Sequence, residues 1–126
     1  METQNAAAVF TVLSSEARLA IFRLLVRAAP QGLVAGEIAR KLDIPKTNLS
    51  FHLKNLVQGD MTTMEREGRH IRYRANIALM LETISYLTEN CCSGNPDICQ
   101  RFREESGISQ EIFQQNIIRR PGEEHD

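Results

Sequence analysis

The segment GEIARKLDIPKTNLSFHLKNLVQGD, residues 36–60, carries two short amphipathic patterns separated by three residues. Ile38 and Leu42 recur at helical spacing in the first, and Leu49, Leu53 and Leu56 in the second. Between them stand only Asp43, Ile44 and Pro45. Proline disfavours a helical conformation at the residue before it but fits the first turn of a new helix, so the chain breaks direction here and restarts. Two helices joined by so short a turn are a helix-turn-helix signal.

Toward the N-terminus, Thr3 to Leu13 is weakly amphipathic, with Ala7, Val9, Phe10, Val12 and Leu13 on the apolar side, and is expected to form a short first helix. Ser14 or Ser15 then offers an oxygen to orphan backbone N–H groups, and Glu16 sits favourably at a helix start. A second helix follows through Ala17, Ile21, Leu24, Leu25 and Ala28, stopped by Pro30 and Gly32.

Beyond Gly59 the chain reads MTTMEREGRHIRYRA, residues 61–75, and the period shifts from 3.6 toward 2. A β-hairpin turning at Glu67-Gly68 is expected, with Ile71, Tyr73 and Ala75 alternating with His70, Arg72 and Arg74. This is a wing. NIALMLETISYLTEN, residues 76–90, then lines up Ile77, Met80, Leu81, Ile84 and Leu87, with Leu79 and Tyr86 widening the apolar surface. One core face cannot use them all, so a second face is expected to bury against a partner beside the first helix.

The expected fold is therefore mainly α with a small β-hairpin. It is a winged helix-turn-helix of five or six helices, forming a symmetric homodimer through its first and last long helices. Residues 1–92 are read as the DNA-binding and dimerisation domain, and residues 93–126 as an inducer-binding loop and acidic tail. A short helix over Ser109 to Arg119 and a disordered PGEEHD end are expected in that tail.

At 126 residues, 42% hydrophobic and 25% charged, the chain is ordinary for one soluble domain. METQNAAAVF lacks a basic start followed by a long apolar run, and no stretch nears the roughly 18 apolar residues of a membrane helix. A cytoplasmic protein without a membrane partner is expected. The net charge of −1 hides a gradient: residues 1–45 carry five basic and four acidic side chains, residues 46–74 six and three, and residues 75–126 four and nine. The middle segment is locally basic, as phosphate contacts require.

The leucine face of the second short helix turns Thr47, Phe51 and Lys54 the opposite way, with Asn48, Ser50 and Asn55 flanking. Asn and Ser can pair with base edges, Thr and Phe can meet a thymine methyl, and Lys can reach phosphates. Phe51 opposite a core face calls for a covering surface, either a DNA groove or the wing and first helix. His52, at the edge of the leucine face, suits packing or a phosphate contact. Lys46, Thr47, Asn48, Ser50, Phe51, His52 and Lys54, with Arg66, Arg69, His70 and Arg72 of the wing, form the candidate DNA-binding set.

All three cysteines, Cys91, Cys92 and Cys99, fall within nine residues. Cytosolic thiols stay reduced, so this odd cluster points to metal or redox chemistry rather than a disulfide framework. Adjacent cysteines on a regular helix point about 100° apart, so Cys91 and Cys92 converge on one ion only if the helix unwinds there. Gly94 and Pro96 supply the means, and the following loop is long enough to return Cys99. Three thiolates match the trigonal pyramidal demand of As(III) or Sb(III), whereas zinc would need a fourth ligand: a water, a partner residue, His70 or His125. Cd(II), Pb(II), a methylated arsenical or a thiol-redox switch are alternatives, as are small buried hydrophobes. No phosphate loop, organic-cofactor fingerprint or acid–base constellation supports an enzyme, and a thiol-based arsenic-handling enzyme or metal chaperone would leave the wing without purpose.

EARLAIFRLLV (16–26), the segment 36–56 and REGRHIRYRAN (66–76) together resemble the ArsR/SmtB family of metal-responsive bacterial repressors over approximately residues 8–92. SFHLKNL followed by REGRxxxYRA, recognition helix and wing at the family's usual separation, is the most specific part. YLTENCC with a third downstream cysteine resembles the branch whose As(III) site lies at the end of the last helix. The resemblance implies a homodimer that holds an inverted-repeat operator when metal-free and releases it on binding inducer. GEIARKL lacks the third-helix cysteine pair of other arsenic repressors, and ANIALMLETISYLTEN lacks the Asp and His ligands of the family's zinc site. Asp60 stands where the family generally has an apolar residue after glycine.

Overall fold

The Ser15 hydroxyl accepts from the Arg18 N–H at 3.3 Å and so caps the first strongly amphipathic element. In the computed structural model, which describes residues 1–107, that element is α2 (Glu16–Arg27), preceded by α1 (Thr3–Leu13). There follow β1 (Leu33–Val34), α3 (Ala35–Leu42), α4 (Lys46–Gln58), β2 (Thr62–Glu67), β3 (His70–Ala75) and α5 (Ile77–Thr88). A tight turn over Cys91–Gly94 then leads into α6 (Pro96–Ser106). The expected helix over Ser109 to Arg119 and the PGEEHD end lie outside the described residues. The chain divides into two compact units, Met1–Met80 and Leu81 onward.

In the first unit Val9, Ile21, Phe22, Leu25, Ile38, Leu49, Leu53, Leu56, Met61 and Tyr73 form one buried cluster. Each fully buried Leu or Ile contributes about 1.5–3 kcal/mol. The three α4 leucines, all nearly inaccessible, therefore set the rotation of that helix. The helix-turn-helix corner forms at the expected residues. Asp43 adopts the left-handed conformation, the Ile44 N–H closes onto the Ala39 carbonyl at 3.1 Å, and Pro45 caps α4 with its carbonyl accepting from the Leu49 N–H at 2.9 Å.

Gly59 ends α4 with an ordinary negative φ; what it supplies is room, because a Cβ there would collide with the Val12 side chain. Asp60 takes the left-handed step instead, at φ 62°, as short polar side chains can. Its carbonyl accepts from the Asn76 side-chain amide at 2.7 Å, and the Met61 N–H reaches the Leu56 carbonyl at 3.0 Å. Met61 is buried, so the apolar role passes one residue along.

The sheet is antiparallel with order β1-β3-β2. Glu67 pairs with His70, so the hairpin turns at Gly68-Arg69, one residue later than the Glu67-Gly68 turn expected from the sequence. Register decides this: a two-residue loop with Gly68 at φ 61° keeps Glu67 in the ladder. A third strand also joins the expected hairpin, β1 pairing Leu33 with Tyr73. Gly32, at φ 73°, sits where a Cβ would strike the Tyr73 carbonyl. On α5 the apolar side chains are mostly half-buried within the described residues, and Leu87 is 59% exposed.

Gly32→Ala must both adopt an unfavourable φ and displace the Tyr73 backbone. A destabilisation of about 2 kcal/mol or more is expected in urea denaturation, since such a substitution costs more than the ~1 kcal/mol at stake for a compatible glycine. An unchanged midpoint would refute the close approach of β1 to β3.

Candidate functional site

Two groups of residues carry chemistry, one in each compact unit. Because α4 buries Leu49, Leu53 and Leu56, its opposite side presents Lys46, Thr47, Asn48, Ser50, Phe51 and Lys54, all exposed. Phe51 is 62% exposed and does not pack under the wing or α1 within the described residues. Its only ring partner there is His52, edge-on at 5.7 Å. His52 is half-buried, with Nδ1 buried and without a hydrogen-bond partner among the described residues. The Asn55 amide is turned back onto the Phe51 carbonyl at 3.1 Å.

On the wing, Arg66, Arg69 and His70 are exposed, whereas Arg72 and Arg74 are half-buried and engaged. Cross-strand register places Glu65 and Glu67 on the same face as Arg72 and Arg74. The Arg72 Nε donates to both Glu67 carboxylate oxygens at 2.9–3.0 Å, and its guanidinium also reaches the Gly32 carbonyl at 3.2 Å. Arg74 pairs with Glu65 at 2.8 Å and donates to the Pro30 carbonyl at 3.2 Å. The basic row read along the chain is thus interleaved with an acidic row across it. Counting charges by position alone misses this, but the alternation of Glu65 and Glu67 with Arg66 signals it once β2 is paired.

The second group is the cysteine cluster. The backbone unwinds as α5 ends, with Asn90, Cys92 and Ser93 at φ 56° and Gly94 at φ 76°. Each non-glycine residue held left-handed costs about 1–2 kcal/mol. The reversal brings the adjacent sulfurs of Cys91 and Cys92 to 3.6 Å. Cys99 joins them from α6 rather than from the loop expected by sequence reading. Asn95 caps that helix, accepting from the Asp97 and Ile98 N–H groups at 3.0 and 3.4 Å, with Pro96 in its first turn. The Asn95-Pro96-Asp97 string carried this signal.

The three sulfurs lie within 4.8 Å of one another. An ion held at about 2.3 Å from each thiolate separates its ligands by ~3.5 Å, so the donor set fits with small adjustment. Cys91 and Cys92 are half-buried and Cys99 is 5% exposed. A partly open cavity of about 210 Å³, lined by Thr88, Asn90, Cys91, Gly94, Asn95, Pro96 and Cys99, gives access. The hydrogen bond with Cys92, and after it burial, hold the Cys91 thiol above its ordinary pKa. The hydrogen bond with Cys99 and the charge of Arg103 pull the other way. Arg103, on the same face of α6 as Cys99, was not singled out from the sequence.

A family profile described as a helix-turn-helix domain matches residues 13–65. The uncharacterised HTH-type transcriptional regulator YceK of Bacillus subtilis is 37% identical over 68 residues, covering 54% of this chain and 67% of the relative. The transcriptional repressor SdpR of the same organism is 29% identical over 90 residues, 71% of this chain and 97% of the repressor. An ArsR-like transcriptional regulator from Rhodococcus sp. RHA1 superposes with TM-score 0.60 at 25% identity, over 80% of this chain and 92% of that one. Sequence, fold and the exposed α4 face thus define a winged helix-turn-helix transcriptional regulator, a DNA-binding protein rather than an enzyme. The chain belongs to the ArsR/SmtB family of such regulators. Among the described residues no helix is long and apolar enough to cross a membrane.

Thiol accessibility gives a direct check. With iodoacetamide at neutral pH, Cys99 should be modified last because it is buried, and Cys91 more slowly than a free cysteine because its raised pKa lowers the thiolate fraction. Peptide mass spectrometry over time reads the order, and early alkylation of Cys99 would contradict its placement.

Proposed function

We propose that this regulator is a thiol-switched cytoplasmic repressor whose homodimer holds an inverted-repeat operator and releases it when As(III) is captured by Cys91, Cys92 and Cys99. The observation that carries this reading is the convergence of all three cysteines of the chain within 4.8 Å. Arsenous acid exchanges its three hydroxyls for three thiols, forming three As–S bonds and releasing three waters, a stoichiometry the cluster matches. Sb(III) shares this chemistry. The repressor SdpR among the relatives supports the sense of the regulation. The half-exposed apolar surface of α5, with Leu87 outward, supports a symmetric partner.

On DNA, α4 enters the major groove through Thr47, Asn48, Ser50 and Phe51, while Lys46, His52, Lys54, Arg66, Arg69, His70 and Arg72 approach phosphates or the minor groove. The wing's last strand runs through Asn76 into α5, and α5 ends at the thiol turn. Ion capture remodels that end of the helix and so shifts the placement of the recognition helices. Linkage requires the ion to bind the DNA-free form more tightly by the factor through which it weakens DNA binding.

Fluorescence anisotropy of the protein with DNA from upstream of its own gene tests both halves. Sodium arsenite should release the wild type, while Cys91→Ser, Cys92→Ser and Cys99→Ser each stay bound at concentrations that empty it. Undiminished release in all three variants would sink the site assignment.

Phe51→Ala, at an exposed position, should leave thermal stability within ~0.5 kcal/mol while weakening operator binding at least about fivefold, roughly the lower end of a lost base contact. A large stability loss with unchanged DNA affinity would instead assign Phe51 to a packing role.

A further inference from the structure

Strand register places Glu65 opposite Arg72 and Glu67 opposite His70, so both carboxylates share with Arg72 and Arg74 the face of the wing turned away from buried Tyr73. The four charges make one connected row. Glu65 pairs with Arg74 at 2.8 Å, Arg74 also lies 3.9 Å from Glu67, and Glu67 accepts twice from Arg72 at 2.9–3.0 Å. Each guanidinium is also tied to backbone, Arg72 to the Gly32 carbonyl and Arg74 to the Pro30 carbonyl. Exposure runs opposite to what a phosphate grip needs: the Glu65 and Glu67 side chains are 60% and 41% exposed, those of Arg74 and Arg72 36% and 25%. A phosphate approaching this face meets carboxylates first.

Salt linkage turns that ordering into a measurable quantity. A free arginine that gains a phosphate releases condensed counterions, and log K falls with log salt by about 0.9 for each such contact. An arginine that must first leave a carboxylate uncovers an anion beside the DNA, which recruits a cation in its turn and offsets the release. We propose that Glu65 and Glu67 are positioning residues that act through Arg72 and Arg74 to hold down the sequence-independent part of the regulator's DNA affinity. This rests on the reading that the wing approaches the phosphate backbone, and adds to it the residues that limit the grip. Allosteric coupling changes affinity by only about 5- to 150-fold, so a limited grip stays within the range that a ligand can release.

The test measures the full-length protein on a duplex of unrelated sequence by fluorescence anisotropy, over about 50–200 mM salt. Glutamine keeps an acceptor oxygen for each guanidinium and removes only the charge. Glu65→Gln/Glu67→Gln should bind at least about threefold tighter than wild type at the lowest salt, and the slope of log K against log salt should steepen by at least about 0.9, one added phosphate contact. An unchanged slope overturns the proposal. In an Arg72→Gln/Arg74→Gln background the same two substitutions should produce no steepening, because no arginine remains to be freed. Equal steepening in both backgrounds assigns the effect to net charge alone, and the proposal falls.

A second comparison leaves the wing intact. Glu2→Gln/Glu16→Gln removes two exposed acidic charges from the N-terminal helices and should steepen the slope less than half as much as the wing pair; equal steepening again overturns the proposal. Arg66→Gln/Arg69→Gln, at exposed wing positions, should flatten the slope of the wild type. Flattening there with no change in Glu65→Gln/Glu67→Gln defeats this inference alone. No change in either variant keeps the wing off the phosphates and defeats the underlying reading with it.

Discussion

Burial of Leu49, Leu53 and Leu56 against Ile21, Leu25 and Ile38 is the constraint from which the DNA-facing geometry follows. A helix has one rotational freedom about its own axis, and three buried leucines spaced four and three apart remove it. Everything on the far side of α4 is then oriented without any further device, including Phe51, whose exposure a monomeric core would not choose. The same core fixes the wing. Tyr73 is the member of β3 that enters the cluster, and β2 and β1 are placed by pairing on either side of that strand.

The second unit is organised by a different device, a reversal of backbone hand. Four residues between Asn90 and Gly94 have positive φ, and only one of them is glycine. An unstrained helix would have directed Cys91 and Cys92 apart. The strained turn brings their sulfurs together, and the Asn95 cap starts α6 so soon afterward that Cys99 arrives in its first turn. Backbone strain of this kind persists where the surroundings over-determine it and gathers at sites that bind or switch. New bonds from sulfur to an ion would offset it, which makes the end of α5 a place where ligand and helix can be coupled.

The helix-turn-helix was legible because its signals are local: leucine spacing, and a proline that can only start a helix. The wing was legible in outline, since alternation over Ile71, Tyr73 and Ala75 is equally local, but its turn was displaced by one because Glu67 belongs to the ladder through its partner His70. The short β1 was missed because two residues carry no period, and only the pairing with Tyr73 makes them a strand. The candidate thiols were legible from clustering alone. Their setting was not. Attention to the unwinding implied by Gly94 and Pro96 treated the whole stretch as loop, although Asn95, Pro96 and Asp97 are a helix start. Arg103 was hidden for the same reason, since its relation to Cys99 exists only once the intervening residues are helical.

The wing's ion pairs change what the basic middle segment means. Of its six basic side chains, Arg72 and Arg74 already face Glu67 and Glu65, leaving Lys46, Lys54, Arg66 and Arg69 outward. Partly exposed pairs of this kind are worth about 1 kcal/mol, little enough that in the proposed DNA complex a phosphate can displace a glutamate from Arg72. The exchange returns little net energy, because one charged contact replaces another. What the pairs do provide is position: Arg72 bridges Glu67 and the Gly32 carbonyl, tying the wing to the strand beside it. A wing held in this way adds less raw charge than its sequence advertises. In the DNA complex proposed above, recognition then leans on the fit of Thr47, Asn48, Ser50 and Phe51 against base edges, side chains that discriminate sequence rather than merely attract DNA.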